Sequence, residues 1–489
     1  MKKPDDDLSN ETTLDPEDWD RMRALGHRML DDMMDHLQSI RNKPSWVSIP
    51  RETKEFLESP VPVVGEDIES IYAEFKKHIL PFPGGNIHPR FWAWVQGTGT
   101  PFGALSEFLA AAMNPNTAIG EHSAMYVEKQ VIGWCKEMLN YPRSASGILV
   151  SGGSMANITA LIVARNSQTG KDIRRLGIGA AKGHMTIYYS AETHSCIDKA
   201  VEVMGIGRDS IRKIEVDNTF RIRTDQLVAA IERDLSEGNT PFCVVGNAGT
   251  VNTGAIDPLD ELAEICRRYN LWFHIDGAFG ALAKLVPEYS QKLKAIESAD
   301  SVAFDLHKWM YMPYEVGCVL VRRADAHRGA FANEASYLLN HERGLAAGPD
   351  PMGNYGLELS RGFKALKVWM SVKEHGLDKY AAMIGQNIAQ AFYLGELVSK
   401  DDRLELLAPV TMNIVCYRYV GKNPAANDLN ELNRKILMEL QVSGIASPSS
   451  TMIGGRYAIR VAITNHRSRK EDFEILVRKT TRIGDALSR

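Results

Sequence analysis

Between about residue 145 and residue 321 the chain alternates short β-rich runs with helical stretches, and this alternation restricts the fold more than any other feature of the sequence. The runs lie at residues 148–150, 186–189, 242–245, 271–275, 301–304 and 318–321, with amphipathic segments such as 258–269 between several of them. Strands separated by helices predict an α/β layer built on a mainly parallel sheet. In such a sheet the functional groups collect on loops at the carboxyl ends of the strands. The rest of the chain is arranged around that layer. Residues 1–98 read as an N-terminal helical arm suited to dimerisation, 99–365 as a large domain that binds a cofactor, and 366–489 as a small C-terminal α+β domain with strands at 406–417 and 457–463.

In the arm, Trp19, Met22, Leu25, Met29, Met33, Leu37 and Ile40 recur every three or four residues, which is one apolar helical stripe. Asp15, with Pro16 in the first turn, is placed to cap that helix. The stripe suits a partner subunit or the chain itself equally well. Pro60, Pro62, Pro81 and Pro83 punctuate the next segment, which predicts an arm rather than a sheet. Charge excludes other classes of function. Lys+Arg 57 against Asp+Glu 61 gives a net charge of only −4, so nothing calls for nucleic acid. Six scattered cysteines with no C-x-x-C pair, and no His cluster at ligand spacing, predict free thiols in a reducing cytosol and no metal. Neither a secretory leader nor a membrane span is expected from the apolar runs.

Four loops of the α/β region carry chemistry. The turn Ser151-Gly152-Gly153-Ser154 precedes an apolar helical run, so backbone N–H groups, a hydroxyl and a helix N-terminus can converge on a monophosphate. Alone it is equally compatible with an ordinary Gly-Gly turn. Gly177-Ile178-Gly179 has no strand before it and is set aside. Thr193-His194-Ser195 follows the second strand, where an imidazole can stack on a flat heterocycle and reach a substrate carboxylate. His274-Ile275-Asp276 delivers an acid to a strand end; a buried carboxylate needs a cation, and a protonated ring nitrogen is a suitable one. A helix cap or a metal ligand remains an alternative for Asp276 taken alone. Finally, Lys308 lies between His307 and Trp309 after another strand, a candidate for a depressed pKa and for condensation with an aldehyde. The order of the four loops, rather than any one of them, indicates a pyridoxal 5′-phosphate site.

At these residues the sequence resembles the group II pyridoxal-phosphate-dependent amino-acid decarboxylases, and most closely the aromatic-L-amino-acid and tyrosine enzymes. The resemblance runs from about Trp19 to the C-terminus. It rests on His88-Pro89-Arg90-Phe91, Gly152-Gly153-Ser154, Thr193-His194-Ser195, Gly249-Thr250, His274-Ile275-Asp276, His307-Lys308-Trp309 and Leu359-Ser360-Arg361-Gly362-Phe363. It implies the fold type I architecture, a homodimer, and α-decarboxylation of an amino acid. Lys308, His194, Tyr337 and Asp276 are then the catalytic residues, with Tyr337 on a lid segment as the proton donor. Gly153, Ser154, His194, Thr250, Asp276, His307 and Lys308 hold the cofactor. One departure stands out: the family usually has Asn-Pro-His-Lys where this chain has Asp305-Leu306-His307-Lys308, so no phosphate contact is carried over to Asp305.

For the substrate, the resemblance points to Asn86, Trp94, Asn116 and Ser360. Either asparagine can pair with a ring hydroxyl or with a polar aliphatic side chain. A serine at the Ser360 position goes with phenolic rather than indolic substrates in plant relatives, which favours tyrosine or dihydroxyphenylalanine. The alternatives are a decarboxylase of a polar or acidic amino acid and an aldehyde synthase on the same scaffold. A desulfurase or lyase of this fold would lack the lid tyrosine and the His-Pro-Arg-Phe arm, and a non-catalytic binding protein would have no need of both Lys308 and Asp276.

Overall fold

The computed structural model describes residues 12–169, 172–333, 341–422 and 428–488. The chain divides into two compact units, one formed by Met1–Lys43 with Val47–Pro83 and the other by Pro44–Trp46 with Gly84–Arg489. The first unit is helical. Its long helix spans Trp19–Ser39 and is capped by Asp18, whose carboxylate accepts the Arg21 N–H at 2.9 Å. The cap is therefore Asp18 and not Asp15, because Asp18 stands three residues before a free first-turn amide. Ion pairs of Arg21 with Asp67 and of Arg28 with Glu69 join this helix to Ile68–Glu74. The Tyr72 hydroxyl adds a bond to Asp32 at 2.7 Å. Of the apolar stripe only Leu25 and Ile40 are buried, while Trp19 is 60% and Met29 42% exposed.

Twelve strands among the described residues form two sheets in the second unit. They are β1 (Phe91–Trp92), β2 (Ser146–Val150), β3 (Met185–Ser190), β4 (Ile211–Ile214), β5 (Thr240–Asn247), β6 (Trp272–Asp276), β7 (Ser301–Asp305), β8 (Gly317–Val321), β9 (Leu404–Leu406), β10 (Ile414–Tyr419), β11 (Ser447–Ile453) and β12 (Arg456–Ala462). The large sheet has the order β2-β8-β7-β6-β5-β3-β4. Neighbours from β7 through β4 pair in parallel, and β8 runs against both β7 and β2. All six expected runs are strands of this sheet, and the mainly parallel α/β layer stands. Alternate residues point to opposite faces, and both faces are covered. Leu149, Val244, Ile275, Val302 and Leu320 enter one core, while Ile148, Val245, Ala303, Val319 and Val321 enter the other.

The second sheet, β1-β11-β12-β10-β9, is antiparallel except for the short β1–β11 pair. The expected strand at 406–417 is two strands, β9 and β10, joined through residues 407–413. Because β1 comes from the segment just after the first unit, this sheet draws together residues some 350 positions apart, such as Phe91 and Ser447. The topology leaves the carboxyl ends of β2, β3, β5, β6 and β7 on one edge of the large sheet. Loops leaving that edge carry the four motifs.

Candidate active site

A cavity of about 530 Å³ opens at that edge, and β2, β3, β5, β6 and β7 lead residues into it. β2 leads into Ser151-Gly152-Gly153-Ser154 at the start of the helix Gly153–Gln168; β3 leads to His194, β6 ends on Asp276, and β7 leads to His307 and Lys308. In the sheet, Gly317 lies opposite both Val150 and Asp305. A Cβ at Gly317 would stand 2.7 Å from the Gly152 Cα and 2.8 Å from the Asp305 Oδ1, so only glycine lets the turn and the acid approach each other.

Asp276 is 5% exposed and has no cation bonded to it among the described residues. Its Oδ1 accepts the Ala278 N–H at 3.0 Å and its Oδ2 accepts the Asn157 amide at 3.1 Å. Burial pushes its pKa up. The bond to Asn157 fixes a longer chain. With its NH₂ turned to Asp276, Asn157 offers Oδ1 to His274 Nε2–H at 2.7 Å, so His274 Nδ1 must accept, and it does so from the Ser301 hydroxyl at 2.9 Å. Ser301 Oγ in turn accepts the Trp272 indole N–H at 2.8 Å. Burial drives His274 down to about 3, so the ring is neutral as this pattern requires. The strand-end acid is therefore oriented by a buried polar chain four residues deep.

Lys308 departs from its expectation. Burial disfavours its ammonium, but Asp305, with Oδ2 2.8 Å from Nζ, and Asp276 further off outweigh burial and raise its pKa. The expected depression fails because the flanking rings do not face the amine and the acid one helical turn back does. Trp309 points into the core, donating to Asn387 Oδ1 at 3.1 Å. His307 is held by the Val316 N–H at 3.1 Å and lies against Tyr314 with ring centroids 4.4 Å apart. His194 Nδ1 accepts the Cys196 N–H at 3.1 Å, which leaves Nε2 as the atom offered to a ligand; burial lowers its pKa despite Asp276.

Trp94, Gly153, Ser154, His194, Asp276, His307 and Lys308 thus meet in one cavity. Four expected residues do not join them. Thr250 is fully buried and turned into its own loop, accepting the Ala255 N–H at 3.1 Å, so Gly249 and Val251 line the wall instead. Asn86 donates to the Gly97 carbonyl at 2.8 Å, and a Cβ on Gly97 would collide with the His307 carbonyl. Asn86 therefore braces the backbone beside the cavity and does not line it. Asn116 and Ser360 share another face: Asn116 donates to the Leu359 carbonyl at 3.1 Å and accepts the Arg361 N–H at 3.1 Å. Tyr337 lies outside the described residues.

The cavity also holds residues the sequence motifs did not single out. Arg460, on β12, is 3% exposed and donates to the carbonyls of Trp94 at 2.8 Å and Asn252 at 3.1 Å. Burial brings it down to about 10, and no carboxylate pairs with it among the described residues. Nothing in the alternation of a lone strand arginine marks it in sequence. Asn247, by contrast, is the last residue of β5, a strand-end polar residue of the same kind as Asp276.

Arg361 of the Leu359–Phe363 motif is structural. Its guanidinium forms a forked pair with Glu128, both side chains at most 2% exposed, and also bonds the Thr117 carbonyl at 2.7 Å and the Leu149 carbonyl at 2.8 Å. Arg361→Ala leaves the buried Glu128 carboxylate without its cation, which costs roughly 3–5 kcal/mol. Denaturant unfolding of the two proteins measures this; a loss below about 1 kcal/mol would mean that water reaches Glu128.

Residues 50–420 match the pyridoxal-dependent decarboxylase conserved domain. The chain is 34% identical to an aromatic-L-amino-acid decarboxylase of Bacillus atrophaeus, covering 96% of each chain. It is 32% identical to tyrosine decarboxylase 3 of Petroselinum crispum, over 92% of this chain and 89% of the relative. Among solved structures, that of the Oryza sativa TDC with PLP and tryptamine superposes with a TM-score of 0.88 at 24% identity, over 98% of this chain and 100% of the other.

Proposed function

The chain belongs to the pyridoxal-dependent decarboxylase family, and from that premise we propose that it converts an aromatic L-amino acid to its amine and carbon dioxide, preferring tyrosine or dihydroxyphenylalanine to tryptophan. The enzyme is an amino-acid decarboxylase and its cofactor is pyridoxal 5′-phosphate. The observation that carries the reading is the convergence of Lys308, Asp276, His194 and the Gly152-Gly153 turn in one cavity. The residues fit the cofactor. Among the described residues Asp276 is a buried acid with no cation bonded to it and Lys308 is the only lysine on the wall, and the turn opens on a helix N-terminus.

Bound in this cavity, pyridoxal phosphate supplies a ring that draws off the electron pair left by the departing carboxylate. Lys308 would hold its aldehyde carbon, Asp276 a proton at its ring nitrogen, and Gly153 and Ser154 its phosphate. His194, neutral and anchored through Nδ1, presents Nε2 and a flat ring face to orient the substrate. Arg460, which pairs with no carboxylate among the described residues, is the cation on the wall placed to receive an amino-acid carboxylate. Tyr337 delivers the proton that Cα needs once the carboxylate has left. Tyr337→Phe is therefore expected to bind substrate normally but form amine more slowly, by on the order of a hundredfold or more, with aldehyde and peroxide, formed with molecular oxygen as oxidant, rising in its place. An unchanged amine yield, read by chromatography of the products, would make Tyr337 a packing residue.

We place the enzyme in the cytosol as a homodimer. Exposed apolar side chains on Pro101–Met113, where Phe108 is 70% and Met113 57% exposed, and at Leu357 and Leu359 support a second copy at the face that carries Asn116 and Ser360. These two would then line a substrate pocket across the subunit boundary. Six free, buried thiols suit a reducing compartment. A panel of L-amino acids assayed for carbon dioxide, amine and peroxide tests the activity. Higher kcat/KM for tryptophan than for tyrosine, or turnover of small acidic substrates alone, defeats the substrate assignment, and stoichiometric peroxide would identify an aldehyde synthase.

A further inference from the structure

The acid beside Lys308 has an unused acceptor. Asp305 is 1% exposed; its Oδ2 holds the Lys308 ammonium at 2.8 Å, while its Oδ1 is buried with no hydrogen-bond partner among the described residues. The carboxylate lies against the Gly152-Gly153 turn. A Cβ built on Gly153 would stand 2.9 Å from Oδ2, and one on Gly152 would stand 3.7 Å from Oδ1. This side chain and the start of the helix Gly153–Gln168 thus face the same space, where the proposed function seats the cofactor's phosphate.

An orphaned carboxylate oxygen can only accept, so whatever bonds to it must bring a hydrogen. A phosphate dianion brings none, and two anions held together away from water repel strongly. One proton between them replaces that repulsion with a charge-assisted O–H···O bond. We propose that Asp305 and the cofactor's phosphate share a single proton, so that capture of the cofactor takes up one proton more than binding of the same ring without its phosphate.

The neighbours of Asp305 narrow the source of that proton. Its own turn contributes Lys308 and His307, the chain beyond β3 and the end of β6 contribute His194, Cys196 and Asp276, and β8 with its approach contributes Cys318 and Tyr314. Burial lowers both imidazoles and raises both thiols and the phenol, so near pH 8 the imidazoles have no proton to lose and the thiols and phenol do not release theirs. Asp276 already accepts from Asn157 and Ala278. Only Lys308 and solvent remain, and any proton Lys308 loses is lost equally to either form of the aldehyde. The step makes one O–H bond to a phosphate or carboxylate oxygen and changes no oxidation state.

The proposal rests on the phosphate-turn reading, and one experiment separates the two. Cofactor-free enzyme is titrated calorimetrically at pH 8 with pyridoxal phosphate and, separately, with pyridoxal, each in two buffers of different ionisation enthalpy. A free phosphate is a dianion at that pH, its second pKa being about 6. The wild type is expected to take up about one proton more with pyridoxal phosphate than with pyridoxal. Its affinity for pyridoxal phosphate relative to pyridoxal should fall about tenfold per pH unit between pH 7 and 9. Asp305→Asn, whose amide brings its own hydrogen, is expected to show no excess proton and a flat ratio. Tighter binding of pyridoxal phosphate with no excess proton in the wild type overturns the shared proton alone, whether or not the variant folds. If the phosphate adds no affinity at all, the reading of the turn falls and the proposal with it.

Discussion

Lys308→Ala is expected to lose the visible absorption of bound cofactor completely and to reduce turnover to background, because Lys308 is the only lysine on the cavity wall among the described residues. The same substitution reaches stability. In the cofactor-free enzyme the Lys308 ammonium is bonded to Asp305 Oδ2 at 2.8 Å, and the other oxygen of that carboxylate already lacks a partner among the described residues. Alanine leaves a buried charge with no cation bonded to it, a loss of roughly 3–5 kcal/mol. Lys308→Arg keeps a cation near Asp305 but offers no amine to an aldehyde. It should recover much of the stability and none of the spectrum. The pair of variants therefore divides covalent attachment from charge pairing, with absorbance for one and denaturant unfolding for the other. A visible band retained in Lys308→Ala would show that another group holds the cofactor.

Legibility in the sequence depended on which physical signals are local. The six buried strands of the large sheet announced themselves because both faces of each are covered, so each reads as an apolar run between polar turns. β4 carries Arg212 and Lys213 in four residues at the edge of the sheet, and β11 begins Ser447-Pro448-Ser449-Ser450; neither is apolar enough to stand out. Asp276, the last residue of β6, and His194 and Lys308, four and three residues past the ends of β3 and β7, could be read because a strand delivers the chain to a fixed edge. Thr250 could not be read correctly, since the direction of a side chain within a loop depends on the bonds the loop makes to itself, here to Ala255 and Thr253. Arg460 reaches the cavity from the second sheet, and nothing near it in sequence records that approach. The effect of Asp305 on Lys308 was hidden for a different reason. The i,i+3 spacing was visible, but which flanking group faces the amine depends on where His307 and Trp309 are anchored.

Asp276→Asn is expected to fold and bind cofactor yet lose on the order of 10²–10³ in kcat, the scale of removing one preorganised electrostatic group. Folding survives because the chain behind this residue can reverse. In the wild type donors run outward from Trp272, with Ser301 donating to His274, His274 to Asn157, and Asn157 to Asp276. An asparagine at 276 would present its NH₂ to Asn157. That amide then turns over, His274 moves its hydrogen from Nε2 to Nδ1, and Ser301 accepts from both rings. One hydroxyl hydrogen is left without its former acceptor, which costs about 1 kcal/mol. The Ala278 N–H still finds a carbonyl oxygen in place of the carboxylate. What cannot be replaced is the charge. Asp276 lies 5% exposed with no cation bonded to it among the described residues, so a ring nitrogen placed there keeps its proton by pairing with the acid, and an amide gives that proton no counter-ion. The absorption of the bound cofactor should become pH-dependent in the variant where it is steady in the wild type, reporting a ring nitrogen free to titrate. Near-normal kcat with an unchanged spectrum would move the electron sink away from Asp276; lost activity with lost folding would show that the buried chain does not reverse.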